Sequence, residues 1–399
     1  MCQQILTDSI KDFIREHAEA DPSEIALKAS RLPDIPANWV AQQIKGRQKA
    51  KSKLPSWFKN EDILFPPSIS MEQCTSEVIA AFKCNLFQGQ TVADLTGGFG
   101  IDCFHLAQSF DRVVYIERDK ELSKTAARNF ATLGVEHKIE IISGSSIEWL
   151  RTIQEPLDLI YVDPARRNSK GDKVSELESC EPNVLEHWDL LQSKAKQIAI
   201  KASPGLDIQL AIAQLKNVSK AYVLSHKNEC KELLFICSSE AEKSPIIHCV
   251  DLLDDKSEYY SKFDFTFEKE HGLQVQPAEV LQFLYEPNAA IMKGGGFKSV
   301  ARKYGLYPLH PRTRLYTSDD QLKDFPGRVF EIEGQFPINR KELKEVFPNN
   351  KANIISRNCG LTPSELKKKL KLTDGGPAYA IATTLSNNKR AILKCSRLK

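Results

Sequence analysis

The chain has 399 residues, of which 41% are hydrophobic and 27% charged, and a formal net charge of +3. This length predicts two to four domains, and the composition is that of a soluble globular protein. No apolar run is long enough to span a bilayer and no export signal follows Met1, so we expect a cytoplasmic protein without a membrane partner. The ten cysteines form no C-x-x-C pair and do not cluster with the eight histidines, which predicts reduced thiols and no metal.

Residues 1–60 are predicted to form an N-terminal helical domain followed by a basic arm. Their apolar periodicity predicts helices over 8–20, 22–29 and 36–51. The arm, residues 45–59, is rich in Lys and Arg and contains the adjacent aromatics Trp57 and Phe58. Such a segment suits contact with phosphates and stacking on bases. The same two rings equally suit docking of the arm onto the core, so both interpretations stay open.

Residues 61–240 alternate strand and helix, as a doubly wound sheet requires. The run Thr91–Leu95 suits a buried strand and leads into a turn with glycines at 97, 98 and 100. Glycines at these positions leave no side chain at the edge of the sheet, so a ligand can approach the backbone closely. A helix predicted over 101–109 would direct its first amide groups towards the same crevice.

The spacing of small residues in this turn distinguishes between two classes of cofactor. A dinucleotide fingerprint requires a third glycine where this chain has Cys103, which argues against NAD. Methyltransferases instead have an acidic residue followed by small residues at the second, fourth and sixth positions. Asp94 followed by Thr96, Gly98 and Gly100 has that spacing, with Gly97 inside the turn.

The next two strand ends supply further candidate contacts. The run 112–117 ends in Glu117, and a carboxylate at the tip of the second strand can accept hydrogen bonds from both hydroxyls of a ribose. The spacing from Asp94 matches one crossover helix, which favours this role over a surface glutamate. After a strand at 138–143, the loop containing Ser145 occupies the position that flanks the adenine in this kind of fold.

A third apolar run, Pro156–Val162, leads into a turn of sequence D-P-A-R-R. Asp163 would lie beside a transferable methyl group. The turn resembles the D/N/S-P-P-aromatic motif of amino-methyltransferases acting on nucleic-acid bases, in which the carboxylate and the carbonyl of the following proline, here Pro164, hold an exocyclic amine. Ala165 replaces the second proline and Arg166 replaces the stacking aromatic. Arg166 is a candidate for holding a phosphate and equally an ordinary loop cation.

Residues 60–240 resemble the core of class I S-adenosylmethionine (SAM) methyltransferases, which implies a Rossmann-like α/β fold with a seven-stranded, mostly parallel sheet. The segments 65–77, 94–100, 163–167 and 285–290 further resemble a bacterial group of methyltransferases with a C-terminal THUMP-like domain. This resemblance covers nearly the whole chain and implies SAM as the cofactor and RNA as the substrate. A more distant similarity is to the cap guanine-N2 methyltransferases, whose corresponding turn is S-P-P-W.

The same resemblance implies that Gln73, Thr75 and Ser76 lie near the methionine end of SAM. A helix N-cap at Ser70 or Thr75 would explain these residues equally well. The sequence argues against covalent transfer to C5 of a uridine, because that chemistry needs a cysteine after the fifth strand, and residues 200–204 contain none.

The rest of the chain is predicted to form two α+β domains. In the first, ferredoxin-like domain, residues 241–325, the pattern predicts strands at 246–252 and 263–267 and a helix at 277–285, and the domain would lean on the active site. In the second, THUMP-like domain, residues 326–399, the predicted order is βαβαββ, with a capping box at Thr362 and Glu365 opening a basic helix. This last segment has 15 Lys and Arg against 6 Asp and Glu, which favours a polyanion partner over a merely solvated face.

Two classes of function follow from these patterns. The first is a methyltransferase acting on an exocyclic amine of a base in tRNA or rRNA, with Asp163 holding the target or accepting its proton. The second is a nucleic-acid-binding protein that retains SAM as a structural or regulatory ligand. A methyltransferase for a non-RNA substrate would leave the basic C-terminal segment unexplained.

Overall fold

A computed structural model describes residues 6–29, 36–165, 177–240, 244–254 and 260–398 of the protein. The chain first forms six helices: α1 (Asp8–Glu16), α2 (Pro22–Ala29), α3 (Ala37–Lys53), α4 (Pro55–Lys59), α5 (Ser68–Gln73) and α6 (Glu77–Cys84). Thr7 begins α1, because its hydroxyl accepts a hydrogen bond from the amide of Ile10 at 3.4 Å. Ile10 and Ile14 pack with Val40 and Ile44 of α3, so apolar residues one helical turn apart hold the N-terminal helices together.

The aromatic residues of the basic arm are part of this packing. Trp57 is fully buried, and its ring centroid lies 5.0 Å from that of Phe99 and 5.7 Å from that of Phe104. Phe58 packs against the same cluster. The structure therefore supports the docking interpretation for Trp57 and Phe58.

Strands and helices then alternate: β1 (Gly89–Asp94), α7 (Ile101–Leu106), β2 (Phe110–Glu117), α8 (Lys120–Thr132), β3 (Ile139–Ser143), α9 (Ser146–Thr152), β4 (Leu157–Val162), α10 (Trp188–Lys194), β5 (Ala195–Ala202), α11 (Ile208–Gln214), β6 (Val218–His226) and β7 (Glu229–Ser238). The order β3-β2-β1-β4-β5 is parallel throughout, and β7 runs antiparallel to β5. The direction of strand addition reverses between β1 and β4, and a doubly wound sheet binds ligands at such a point. The predicted Rossmann-like class is confirmed.

The chain divides into two compact units. The first unit contains Met1–Ser219, Leu233–Ala241 and Asp254–Tyr259, and the second contains Lys220–Glu232, Glu242–Leu253 and Tyr260–Lys399. The predicted domain bounds at 60, 240 and 325 stay predictions.

The second unit continues with β8 (Ile246–Leu252), β9 (Tyr260–Phe265), α12 (Phe267–Gly272), β10 (Phe283–Pro287), α13 (Ala289–Gly294), α14 (Phe297–Tyr304), β11 (Tyr307–Pro308) and β12 (Tyr316–Ser318). β8 pairs in parallel with β6 and antiparallel with β9. The helix predicted at 277–285 is wrong. All five residues of β10 are buried, because the strand lies between β12 and β13 in a sheet. A short run that is buried on both faces gives no periodicity by which sequence distinguishes strand from helix.

The final elements are β13 (Gly327–Pro337), α15 (Arg340–Leu343), β14 (Asn353–Arg357), α16 (Pro363–Leu370), β15 (Ala378–Thr384) and β16 (Arg390–Arg397). They reproduce the predicted βαβαββ order and complete a sheet of order β11-β12-β10-β13-β16-β15-β14. The capping box is present, because Thr362 and Glu365 exchange side-chain to backbone hydrogen bonds. Leu366 and Leu370 are buried, so α16 turns Lys368 and Lys369 to solvent.

The motif at 285–290 links several segments of the second unit through polar contacts. The Glu286 side chain is only 3% exposed, and its carboxylate accepts hydrogen bonds from Nε of Arg328 at 2.7 Å and Nε of Arg357 at 2.8 Å. Tyr285 donates its hydroxyl to the carbonyl of Asp320 at 2.5 Å, and Asn288 caps α13. These contacts give the motif a structural role within the second unit.

Candidate active site

A cavity of about 840 Å³ opens at the carboxyl ends of β1, β2 and β4, beside the reversal of strand order. Most of the site residues predicted from sequence line it, namely Gln73, Thr75, Asp94, Thr96, Gly97, Gly98, Gly100, Glu117, Ser145, Asp163 and Pro164. Ser76 is not among the lining residues, and its buried hydroxyl makes no hydrogen bond within the described part of the chain. Arg166 lies outside the described residues.

Two positions in the turn after β1 have room only for glycine. A Cβ on Gly97 would lie 2.3 Å from Cε2 of Tyr115, which is fully buried under the turn. Gly100 has φ of +88°, and a Cβ there would lie 2.6 Å from the Phe130 ring. The backbone of the turn is therefore held against the sheet, and its outer side faces the cavity.

Glu117 is fixed at the tip of β2 by backbone donors. Its Oε2 accepts a hydrogen bond from the amide of Gly98 at 2.9 Å, and its Oε1 accepts one from the amide of Asp119 at 2.9 Å. An ionised carboxylate has about four acceptor positions, so this one can still accept hydrogen bonds from the hydroxyls of a ligand.

Asp94 is a buried carboxylate, 2% exposed, at the end of β1. Its Oδ1 accepts a hydrogen bond from the amide of Thr96 at 3.0 Å. Burial raises the pKa of Asp94 to about 7 in spite of that hydrogen bond, and the neighbouring carboxylates of Asp102 and Asp163 add to the rise. Asp94 is therefore poised to change charge near neutral pH.

Asp163 follows β4 and is linked to the first turn. Its amide donates to Oγ1 of Thr96 at 2.7 Å, so the turns after β1 and β4 are held together. Two residues later, Ala165 and Glu181 exchange backbone hydrogen bonds at 2.7 and 3.2 Å. This bridge brings the 180–183 segment to the cavity wall, a contribution that the sequence did not predict.

A buried charge network lies beside Asp163 and was also missed. Lys201, at the end of β5, places Nζ 2.6 Å from Oδ2 of Asp163 and 2.8 Å from Oγ1 of Thr75. Lys83 places Nζ 2.8 Å from Oδ1 of Asp102 and 2.8 Å from the hydroxyl of Tyr161. The sequence contained one signal of this network, a lysine near the end of the apolar strand 195–202.

Asp102, on α7, is the carboxylate that connects the two lysines. It accepts a hydrogen bond from Oγ1 of Thr75 at 2.8 Å and lies 3.8 Å from Nζ of Lys201. Burial alone would raise the pKa of Asp102, but the ammonium groups of Lys83 and Lys201 outweigh it and hold the pKa well below its usual range. Two cations and two anions are thus arranged beneath the cavity.

Within the described ranges, no three His, Cys, Asp or Glu side chains are arranged to hold a metal ion. No helix in the same ranges is long and apolar enough to cross a membrane.

Three segments match known protein families. Residues 89–166 match the family described as RNA cap guanine-N2 methyltransferase, residues 283–326 match a ferredoxin-like domain, and residues 327–397 match a THUMP domain-like family. No curated protein matches the chain in sequence.

One solved structure is similar over the full length. It is that of a candidate methyltransferase from Porphyromonas gingivalis W83, which is 31% identical with a TM-score of 0.86 and covers 99% of this chain and 100% of its own. An rRNA methylase from Streptococcus thermophilus, at 15% identity and a TM-score of 0.30, covers 40% of this chain and 93% of its own. The O-methyltransferase TomG from Streptomyces achromogenes, solved with SAM, is 13% identical with a TM-score of 0.32 and covers 54% and 96%.

Proposed function

Since this chain belongs to the family of class I SAM-dependent methyltransferases that carry a C-terminal THUMP-like domain, we propose that it methylates an exocyclic amine of a base in structured RNA, a tRNA or an rRNA. The family makes it a SAM-dependent enzyme. The observation that carries the finer proposal is the position of Asp163 and Pro164, which border the cavity next to the turn after β1.

The residues lining the cavity suit SAM. Glu117 has acceptor capacity left for the ribose hydroxyls, and Ser145 would flank the adenine. The turn after β1 would follow the methionine portion, through Asp94, Thr96, Gly97, Gly98 and Gly100. Gln73 and Thr75 line the side of the cavity at which the methionine would end. A volume of about 840 Å³ lies within the range of about 300–1,000 Å³ that ligand pockets have.

The chemistry asked of the protein is mainly positioning. Bound SAM supplies a methyl group on a sulfonium, which is already a good leaving group. The Asp163 carboxylate would accept one N–H of the target amine, and the Pro164 carbonyl would accept the other. The nitrogen lone pair is then left to attack the methyl carbon, and the nitrogen afterwards loses a proton to Asp163 or to water. Fixing both partners in this way can supply a large share of the rate.

Three features support RNA as the substrate. The THUMP-like match covers residues 327–397, and the segment from Pro326 has 15 Lys and Arg against 6 Asp and Glu. Lys368 and Lys369 of α16 are exposed, where phosphates could reach them. The description of the family matched at 89–166 names guanine N2, an exocyclic amine, which supports that class of target atom.

The test is transfer of labelled methyl from SAM to total RNA taken from cells lacking this protein, with DNA and protein fractions alongside. Asp163→Ala should reduce transfer at least about 100-fold while SAM affinity changes little, because positioning of the amine is lost. Asp158→Ala is the matched control, because Asp158 lies at the opposite end of β4 and away from the cavity. It should retain transfer.

The products distinguish the alternatives. Digestion of the labelled RNA to nucleosides should give a base methylated on nitrogen, whereas a methylated ribose would contradict the amine target. Label in protein or DNA alone would refute the RNA assignment. Binding of SAM with no transfer to any fraction would favour a protein that retains SAM as a ligand.

A further inference from the structure

Two ion pairs join β4 and β5, one at each end of the strands. At the amino ends, Nζ of Lys196 lies 2.7 Å from Oδ1 of Asp158, and at the carboxyl ends Nζ of Lys201 lies 2.6 Å from Oδ2 of Asp163. The two pairs have nearly the same geometry but different surroundings. The Lys196 side chain is 71% exposed, whereas that of Lys201 is 7% exposed. The carboxylates differ less, since Asp158 is 21% and Asp163 31% exposed. The two pairs therefore differ mainly in how firmly the protein holds the ammonium group.

Lys201 is also held in place from outside the sheet. Its Nζ lies 2.8 Å from Oγ1 of Thr75, and Thr75 in turn donates to Asp102 at 2.8 Å. Asp102 is paired with Lys83 at 2.8 Å. The ammonium of Lys201 is thus fixed by groups that precede β1 and by α7, as well as by its own strand.

We propose that Lys201 is a positioning residue for methyl transfer, which fixes the Asp163 carboxylate at the cavity wall in the orientation that accepts the target amine. This inference rests on the proposed function. Because Lys201 contacts Oδ2, we assign Oδ1 of Asp163 to the N–H of the substrate.

The surroundings of Asp163 explain why such a partner is needed. Its side chain is 31% exposed at the cavity wall, so burial alone does not fix the orientation of the carboxylate. Lys83 is directly paired with Asp102, whereas Lys201 is in direct contact with Asp163. Removal of the Lys201 ammonium should therefore leave the Asp163 carboxylate free to rotate.

The experiment measures kcat, KM for RNA and SAM affinity for the full-length protein with the RNA fraction that it methylates. Lys201→Met should lower kcat about 10- to 100-fold, because the carboxylate no longer orients the amine. KM for RNA and SAM affinity should change little, because Lys201 binds neither substrate. Lys201→Arg keeps a cation that can contact Oδ2 of Asp163, so it should retain more of the wild-type kcat than Lys201→Met. Lys196→Met is the matched control and should leave all three quantities unchanged.

A second measurement separates positioning from a merely structural role. In an Asp163→Ala background, Lys201→Met should produce no further fall in kcat, because the carboxylate on which it acts is absent. If Lys201→Met fails to bind SAM, Lys201→Gln, which keeps a hydrogen-bond donor without the charge, is used, and kcat should again fall.

The outcomes are distinguishable from those of the proposed function. A wild-type enzyme that transfers methyl to RNA, with an unchanged kcat in Lys201→Met or Lys201→Gln, would overturn the role of Lys201 alone. A wild-type enzyme that transfers no methyl to RNA would overturn the proposed function instead.

Discussion

The buried carboxylate of Asp94 should make the stability of the first unit depend on pH. Its ordinary pKa is 3.8, and burial raises it to about 7, with Asp102 and Asp163 adding to the effect. The folded protein therefore holds a proton on Asp94 between about pH 4 and 7, where the unfolded chain has lost it. The contribution of this proton to the free energy of unfolding is fully present below pH 4 and is lost as the pH rises to about 7. Since one pH unit corresponds to about 1.4 kcal/mol, the full loss is about 4 kcal/mol.

The substitution Asp94→Asn tests this pH-dependent contribution, because it removes the ionisable group. The free energy of unfolding of the variant, relative to wild type, should rise by up to about 4 kcal/mol between pH 4 and pH 8. Urea unfolding followed by tryptophan fluorescence is a suitable assay, because all four tryptophans lie in Met1–Ser219 of the first unit. Asp189→Asn is the control, since that side chain is 93% exposed. A difference between wild type and Asp94→Asn that stays within about 1 kcal/mol across this range would refute the reasoning.

Two further substitutions test the packing. Gly97→Ala should destabilise the first unit by about 1–3 kcal/mol and weaken SAM binding, because the new methyl group would overlap the buried ring of Tyr115. Tryptophan fluorescence in urea and calorimetric titration with SAM would detect this, and unchanged SAM affinity would contradict it. Glu286→Gln should cost about 3 kcal/mol, because two guanidinium groups lose a buried anionic partner. Scanning calorimetry should show a lower transition temperature for Glu286→Gln than for wild type, and no lowering for the exposed Glu279→Gln. Equal transition temperatures for Glu286→Gln and wild type would show that the buried ion pairs of Glu286 contribute nothing to stability.

The sequence predicts those parts of the site that are encoded within a few neighbouring residues. Asp94, the glycines that follow it, and Glu117 each stand at the end of an apolar run, and the ends of parallel strands meet at one edge of a sheet. Asp163 could be found in the same way. The fold class follows from these strand ends, and the family and enzyme class follow from the resemblance of the segments 65–77, 94–100, 163–167 and 285–290; all three are confirmed by a full-length structural relative.

The contacts around Asp163 could not be predicted because they join distant parts of the chain. Thr75 meets Lys201 across 126 residues and Asp102 across 27, and no local pattern specifies either distance. A lysine in an apolar strand is also ambiguous, because its burial depends on partners that only the folded chain supplies. The error at β10 has a related cause, since its pattern is set by burial between two neighbouring strands.

The pairing of β10 with β13 bears on how this protein can be dissected and recombined. The two matched families meet at residues 326 and 327, yet one contributes β10 and the other contributes β13 to a single sheet. A fragment beginning at residue 327 would expose the backbone of β13 as an open edge, which invites aggregation, and would leave Arg328 and Arg357 without Glu286. The boundary between the two family matches therefore divides the sequence but does not divide the folded sheet. For expression, or for grafting onto another catalytic core, residues 283–397 should therefore not be divided at residue 327.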